Sequence, residues 1–390
     1  MSPSAPWTMQ LPVSVEFGAG SLERLPLHTA GVRRVLVVTG RHAMRDAGVT
    51  DRLCAILGSA GIAYRVYDDL SAEPEHTEIE AAADQARAQG AQAIIGCGGG
   101  SAMDAAKAVA VAATHPGPIM EYIVNGARQI TSATLPVIAI SSTSGTGSHV
   151  GRVAVLSDRA KGIKRSLISD YLYPRAAICD PTVLRTMPRE VTANSGFDAF
   201  AQALEGFLST SEHPLGNLCA EEALRVIFAV LPRVLEHPDD LGVRDRMAWG
   251  DTLAGVSLAT NAVLIPHVLS MVLGGRYGVP HGRAIAAVMV ACLRHSRSGA
   301  AGKLAHVAGL LGCRRRLGDE ALADWTIGTI EAFIARIGLN KTVLEYGVPE
   351  RDFESIAAEV RSAFGARVDA DPVPTDAAGL AAILRASVGA

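Results

Sequence analysis

Apolar residues in the first half of the chain fall in short β-branched runs, separated by segments with helical spacing. Val35 to Thr39 (VLVVT) opens the series, and an amphipathic segment follows it to about Leu57. Ala63 to Tyr67 gives a second strand, and Glu78 to Gln89 places alanines and charges at helical intervals. Ala93 to Gly96 and Pro136 to Ser141 supply a third and a fourth strand. Short apolar strands alternating with helices predict a parallel sheet covered on both faces. From about Pro188 strand-like runs become rare, and helical patterns follow one another almost to the end. The pattern therefore predicts an α/β domain over residues 1–187 and an all-α domain over 188–390, with the boundary between Arg185 and Thr192. There is no repeat and no low-complexity tract.

The segment Leu264 to Gly282 (LIPHVLSMVLGGRYGVPHG) departs from this regularity. Pro266, Gly274, Gly275 and Pro280 prevent it from being one straight helix. The expected form is a buried helix ending near the glycine pair, a short exposed Arg-Tyr-Gly loop, and a new helix from about His281. That arrangement can bring His267 and His281 to one point. Two neutral imidazoles with few charged neighbours suit a divalent cation, and equally suit a packed core. This stretch alone leaves both readings open.

Two turns carry candidate binding chemistry. Strand Ala93–Gly96 runs into Cys97-Gly98-Gly99-Gly100-Ser101 and then into the strong helix former AMDAAKAVAVAAT. Consecutive glycines allow close backbone approach, and the free N–H groups of a helix start favour phosphate oxygens. Ser101 can cap the helix or donate to that phosphate. The motif is not the G-x-G-x-x-G of the first βαβ unit. A second polar turn, Ser142 to Ser148 (STSGTGS), follows the next strand. Two such turns at consecutive strand ends frame one crevice that a dinucleotide fills.

Composition narrows the partner. The 390 residues are 49% hydrophobic with a formal net charge of −3. Lysine and arginine are scattered, which argues against nucleic acid and for a small molecule. Thr252 to Gly275 lacks charged residues, but Asn261, Pro266 and His267 within it favour a buried helix pair over a membrane span. Six well-separated cysteines without a CxxC pair, and an opening with neither a basic start nor an apolar core, predict a cytoplasmic protein with free thiols. A homo-oligomer, most simply a dimer, is expected.

Taken in order, Phe17-Gly18-Ala19-Gly20-Ser21, GGGSAMDAAK, STSGTGS, Asp180-Pro181, ANSGFDAFAQALE and His267 to Gly282 resemble the iron-containing, or group III, alcohol dehydrogenases. The resemblance implies an N-terminal dinucleotide-binding domain, a C-terminal helical domain, and a divalent metal, Fe2+ or Zn2+, in the cleft between them. It implies that Gly98, Gly99, Gly100, Ser101 and Asp104 lie at the pyrophosphate, and that Ser142, Thr143, Thr146 and Lys164 line the rest of the cofactor site. Metal ligands are implied at Asp198, Gln202, His267 and His281, with Asp198, His267 and His281 carrying the catalysis. Spacing agrees in part, since Asp198, Gln202 and Glu205 share one helix face.

The sequence departs from that family's pattern at four places. Gln202 stands at a usual histidine, and a neutral amide is the weaker ligand. Met271 replaces a further histidine. The second turn ends in Ser148-His149 rather than Ser-Glu. Gly40 followed by Arg41 replaces the acidic residue that accepts the ribose hydroxyls of NAD, so NADP(H) is expected beside NAD(H). The implied activity is hydride transfer between a nicotinamide and a small aldehyde, ketone or alcohol, in a pocket lined by residues such as Phe200, Leu264, Met271 and Tyr277. The competing readings are a metal-independent enzyme similar to the maleylacetate reductases, a lyase of the dehydroquinate-synthase type, and a non-catalytic binding protein.

Overall fold

A computed structural model describes residues 7–158, 163–211 and 213–389. Its N-terminal half is built on a sheet of β1 (Ser14–Phe17), β2 (Arg34–Gly40), β3 (Ala63–Leu70), β4 (Ala93–Gly98), β5 (Val137–Ser141) and β8 (Ala176–Cys179). The strand order is β1-β8-β5-β4-β2-β3, and every pairing is parallel. The helices α1 (Val49–Ser59), α2 (His76–Gln89) and α3 (Gly100–Ala112) cover it. β4 is buried at all six positions, as a central strand with helices on both faces must be. A separate antiparallel hairpin pairs β6 (Val153–Asp158) with β7 (Ile163–Ile168).

The order of strand addition reverses across this sheet: β2 leads outward to β3, whereas β4 leads to β5 on the other side. The ends of β2 and β4 therefore flank a switch point, which is where open parallel sheets leave a crevice. Gly40 and the Gly98–Gly100 turn sit at those two ends.

The longer helices of the second half are α4 (Arg189–Leu208), α5 (Pro214–Glu236), α6 (Leu241–Thr260), α7 (Ile265–Tyr277), α8 (His281–Leu310), α9 (Asp319–Arg336), α10 (Phe353–Asp369) and α11 (Ala377–Ala386). The last strand ends at Cys179 and α4 begins at Arg189. Between them, Asp180 caps a helical turn through Thr182 and accepts the Leu22 N–H and the Arg52 guanidinium. The Asp180-Pro181 pair thus ties the start of the chain to the end of the sheet.

The charge-free run Thr252–Gly275 is a buried helix pair, with α6 and α7 bent by 100° at the break. Among the described residues no single helix is long and apolar enough to cross a membrane. The structure corrects one local expectation. α7 does not stop at Gly274-Gly275 but continues for most of a turn to Tyr277, so Arg276 and Tyr277 are helical. Gly278, left-handed at φ 67°, ends it. Helical glycines cost roughly 1 kcal/mol each in an exposed helix, and here the apolar packing of Val268, Leu269, Val272 and Leu273 offsets that cost. Strands β1 and β8 and the β6–β7 hairpin were not expected from periodicity: the first two are only four residues long.

Candidate active site

Helix α4 carries Asp198, Gln202 and Glu205 on one buried face, each at most 4% exposed. Its neighbour α8 starts at His281 and docks on it closely. A β-carbon at Gly282 would fall 2.1 Å from the Asn194 carbonyl oxygen, so only glycine lets His281 come this near Asp198. Helix α7 enters the same space through Pro266, which is tolerated in a first turn because no N–H is needed there.

One ligand atom each from Asp198, His267 and His281 lie within 4.8 Å of one another. Both imidazoles are held with Nε2 toward Asp198, at 3.1 Å for His267 and 3.8 Å for His281. His267 Nδ1 donates to Glu205 Oε1 over 2.6 Å. Ser270 donates its own proton to the His267 carbonyl, so its oxygen accepts from His281 Nδ1 at 2.9 Å. With the far nitrogens bonded in this way, both Nε2 atoms face the centre, that of His267 donating to Asp198 until its proton is displaced.

Electrostatics favour a cation there. Burial pulls the His267 imidazole down, but Glu205 and Asp198 together outweigh it and raise its pKa to about 10. Burial lowers His281 to about 4, with His267 and Lys164 adding to the effect. Gln202 donates Nε2–H to Asp198 Oδ1 at 3.1 Å, which leaves its buried Oε1 without a partner. Turning the amide over exchanges the two atoms and offers the oxygen instead. One carboxylate, two imidazoles with inward Nε2 atoms and one unpartnered amide oxygen fit a divalent cation.

The candidate cofactor residues divide. Gly98, Gly99 and Gly100 form the junction of β4 and α3, and Ser142 N donates to the Gly98 carbonyl at 2.9 Å, joining the two turns. A β-carbon at Gly100 would lie 2.5 Å from Thr146 Cγ2, and one at Gly99 3.2 Å from Thr143 Cγ2. Thr143 Oγ1 is buried with no hydrogen-bond partner among the described residues. Lys164, on β7, reaches across to α7: its Nζ lies 3.5 Å from a β-carbon placed on Gly274, and it pairs with Glu73 at 2.6 Å.

Two of the expected pyrophosphate residues have side-chain partners within the fold. Asp104 accepts from Ser148 Oγ at 2.6 Å and from Val155 N at 3.0 Å, pinning the second turn and the hairpin. Ser101 donates to the Ala72 carbonyl at 2.7 Å. Arg41 at the end of β2 pairs with Asp69 at 2.8 Å.

The residues expected in the pocket wall are spread through the fold. Phe200 packs against Phe228 and Phe333 in the helical core, and Leu264 belongs to that core too. The Tyr277 hydroxyl donates to Asp352. Of the four, only Met271 lines the cavity of about 210 Å³ between β7, α7 and α10, with Lys164, Arg165, Val272, Ser362 and Phe364. Reading by sequence missed Ser270, Asp251 and the buried Lys107. Ser270 was within reach of it, lying three residues after His267 on the same helix.

Two family models cover the chain: "Iron-containing alcohol dehydrogenase" matches residues 12–181, and the C-terminal domain of the Fe-containing alcohol dehydrogenase family matches 192–388. Long-chain-alcohol dehydrogenase 1 of Geobacillus thermodenitrificans is 32% identical over 346 residues, 88% of this chain and 87% of that one. The archaeal halo-thermophilic Red Sea brine pool alcohol dehydrogenase superposes with a TM-score of 0.94 at 27% identity, covering 99% of this chain and all of that one. Sulfoacetaldehyde reductase from Bifidobacterium kashiwanohense, solved with NAD+, gives a TM-score of 0.89 at 27% identity over 99% of this chain and 100% of that one. With its convergent carboxylate and imidazoles between a parallel-sheet domain and a helical domain, the chain belongs to the iron-containing alcohol dehydrogenase family and is an oxidoreductase of alcohols and aldehydes.

Proposed function

We propose that the protein reduces a small aldehyde or ketone, or oxidises the matching alcohol, with NADP(H) or NAD(H) at a site holding one divalent cation. The observation that carries this reading is the convergence of Asp198, His267 and His281, with both Nε2 atoms turned inward. Asp198 brings the negative charge, and Gln202 offers its amide oxygen as a fourth donor. When bound, the cation supplies Lewis-acid polarisation of the substrate oxygen and the nicotinamide supplies or accepts the hydride.

The chain's own residues bind and orient. Glu205 and Ser270 fix the two imidazoles; Asp198 and His267 are buried, whereas the His281 side chain is 34% exposed and opens the centre to one side. The junction of β4 and α3 offers helix N–H groups to the dinucleotide phosphates, and the unpartnered Thr143 hydroxyl faces the same turn. The proton of the overall reaction (carbonyl, reduced nicotinamide and one proton giving alcohol and oxidised nicotinamide) comes from solvent or a ribose hydroxyl, since Met271 removes an imidazole from this face.

NADPH serves at least as well as NADH on this reading. The Arg41–Asp69 pair is half or more exposed on both sides, and an exposed pair contributes little, so Arg41 can turn to a 2′-phosphate at small cost. Iron and zinc both suit the donor set, with zinc ahead in affinity order. The six free thiols suit a reducing cytoplasm.

The test follows NADPH and NADH absorbance with a panel of aldehydes before and after chelation. Activity lost on chelation and restored by Fe2+ or Zn2+ supports the proposal. Full activity in metal-free protein overturns it and leaves the His267 imidazolium, set between Asp198 and Glu205, as the polarising group.

A further inference from the structure

The turn from Ser142 to Ser148 is fastened from below by two buried residues that do not reach the metal centre. Asp251 on α6 accepts the Gly147 N–H at 3.1 Å. Gly147 is left-handed at φ 61°, and a β-carbon on it would fall 2.3 Å from Gly255 Cα. Two backbones thus meet there without side chains, and Asp251 fixes their register. His149, next along the turn, is 1% exposed.

Hydrogen-bond accounting in this space is unbalanced. Thr252 donates its hydroxyl proton to the Ala248 carbonyl at 2.9 Å. The contact of 3.0 Å between His149 Nε2 and Thr252 Oγ1 is therefore donated by the imidazole. His149 Nδ1 is then a bare acceptor, buried and without a hydrogen-bond partner. The carboxyl oxygen facing it, Asp251 Oδ2, is 4.0 Å away. The gap is longer than a hydrogen bond, yet two acceptors face each other out of water, which is costly unless one of them carries a proton.

We propose that Asp251 is a positioning residue acting as the neutral acid: one oxygen holds the Gly147 N–H of the cofactor turn, and the other carries the proton directed at His149 Nδ1. The proposal rests on the reading of that turn as a nicotinamide-dinucleotide site. The surrounding groups agree. Burial raises Asp251 to about 8, against the lowering effect of the Gly147 and Gly145 N–H groups, and the Asp198 charge on α4 adds to the rise. Burial, helped by Lys107 on α3, lowers His149 to about 4, so its imidazole is neutral. Cys179 on β8 is pushed up to about 12 by burial, then by Asp251, and stays a thiol.

The experiment uses the full chain and compares Asp251→Asn with Asp251→Ala. Cofactor Kd is read by NADPH fluorescence from about pH 6.5 to about 9.5. Protonated-carboxyl absorption is read in the infrared difference spectrum between wild type and Asp251→Asn. An asparagine supplies both the acceptor for Gly147 and a donor for His149; alanine supplies neither. Asp251→Ala is expected to raise Kd about tenfold, and Asp251→Asn to restore it to within about twofold at neutral pH. Wild-type Kd should rise above about pH 8, where the acid ionises, and the Asp251→Asn profile should rise less, keeping only the part due to Lys107, which is also lowered to about 8 and holds Ser148.

A carboxyl band that disappears in Asp251→Asn confirms the proton even if the alanine variant fails to fold. A flat wild-type profile with no such band, or an asparagine variant no better than alanine, overturns the proposal and makes Asp251 a carboxylate. If wild type binds no nicotinamide cofactor at any pH while the band is present, the positioning role fails with the reading of the turn, and only the proton assignment stands.

Discussion

His267 Nδ1 lies 2.6 Å from Glu205 Oε1, and the other oxygen of that carboxylate accepts the Leu264 N–H, also at 2.6 Å. Glu205 therefore sets both the entry of α7 and the tautomer of the imidazole that α7 carries. A partner of this kind is worth about 10–100-fold in metal affinity or activity. Glu205→Gln keeps the shape, but its single oxygen can serve only one of the two donors. The expected outcome is a folded protein that loses metal about tenfold more readily and is slower in proportion. Metal content after dialysis, beside kcat, checks it; unchanged retention would remove Glu205 from the site.

Metal uptake should release a proton. Glu205 and Asp198 raise His267 to about 10 against the lowering effect of burial, whereas burial lowers His281 to about 4. Near neutral pH the metal-free site thus holds one proton, on His267, that a cation must displace. Because that pKa lies above the working range, apparent affinity should rise about tenfold per pH unit up to the His267 pKa. Calorimetric titration in buffers of different ionisation enthalpy counts the protons. A count of zero at neutral pH contradicts this account.

Lys107 makes a stability prediction. It is fully buried, its pKa lowered to about 8 by burial, and it donates to Ser148 O, Ser148 Oγ and Val153 O at 2.7, 2.9 and 2.8 Å. Lys107→Met fills a similar volume and takes a donor from each of three oxygens, of which Ser148 O keeps only the long Gly151 N–H bond of 3.3 Å. The expected destabilisation is about 3 kcal/mol or more, read as a fall in denaturation midpoint. A shift near zero would mean that the ammonium is not what joins α3 to the hairpin.

What the sequence disclosed follows from how each feature is encoded. Runs such as VLVVT and AIIG announce buried central strands, and the periodic Asp198, Gln202 and Glu205 announce one helix face. β1 and β8, each four residues long, are set by pairing with each other and with β5, which leaves little local pattern. Gly274-Gly275 reads as a helix stop because intrinsic propensity is local, whereas the apolar face that carries the helix through it packs against α8 and α10. Asp104 sits where a phosphate ligand is expected, yet its partners Ser148 and Val155 lie more than forty positions away. The same holds for His149 and Asp251, which only the fold brings together.

On the proposed reading, cofactor choice turns on Arg41. It is held by Asp69 at 2.8 Å, with Glu78 at 3.7 Å. Gly40→Asp places a carboxylate at the strand end where a 2′-phosphate would lie, and should move kcat/KM toward NADH by about tenfold. Asp69→Asn frees the guanidinium and should move it toward NADPH. Parallel kinetics with both cofactors test the pair. A strong NADH preference in wild type, unmoved by either change, would place the ribose elsewhere.

The neutral ligand position is the last test. Gln202 is at most 4% exposed, one helical turn from Asp198, and its Oε1 lacks a partner while Nε2 donates to Asp198. Imidazole is the stronger donor to Fe2+ and Zn2+, and Gln202→His keeps the i+4 relation to Asp198. The Gln202 oxygen faces the second turn: a β-carbon on Gly147 would lie 3.7 Å from it. Metal retained per chain after dialysis against a mild chelator should therefore rise in Gln202→His. Activity need not follow, because the amide that leaves the cation weakly held can also hold the substrate oxygen. The two readouts separate these roles. More metal with less turnover makes Gln202 a substrate-side group; more metal with equal or greater turnover makes it a weak ligand. Wild type that already keeps a full equivalent, with the variant keeping no more, shows that the amide is no handicap and that Asp198, His267 and His281 hold the ion by themselves.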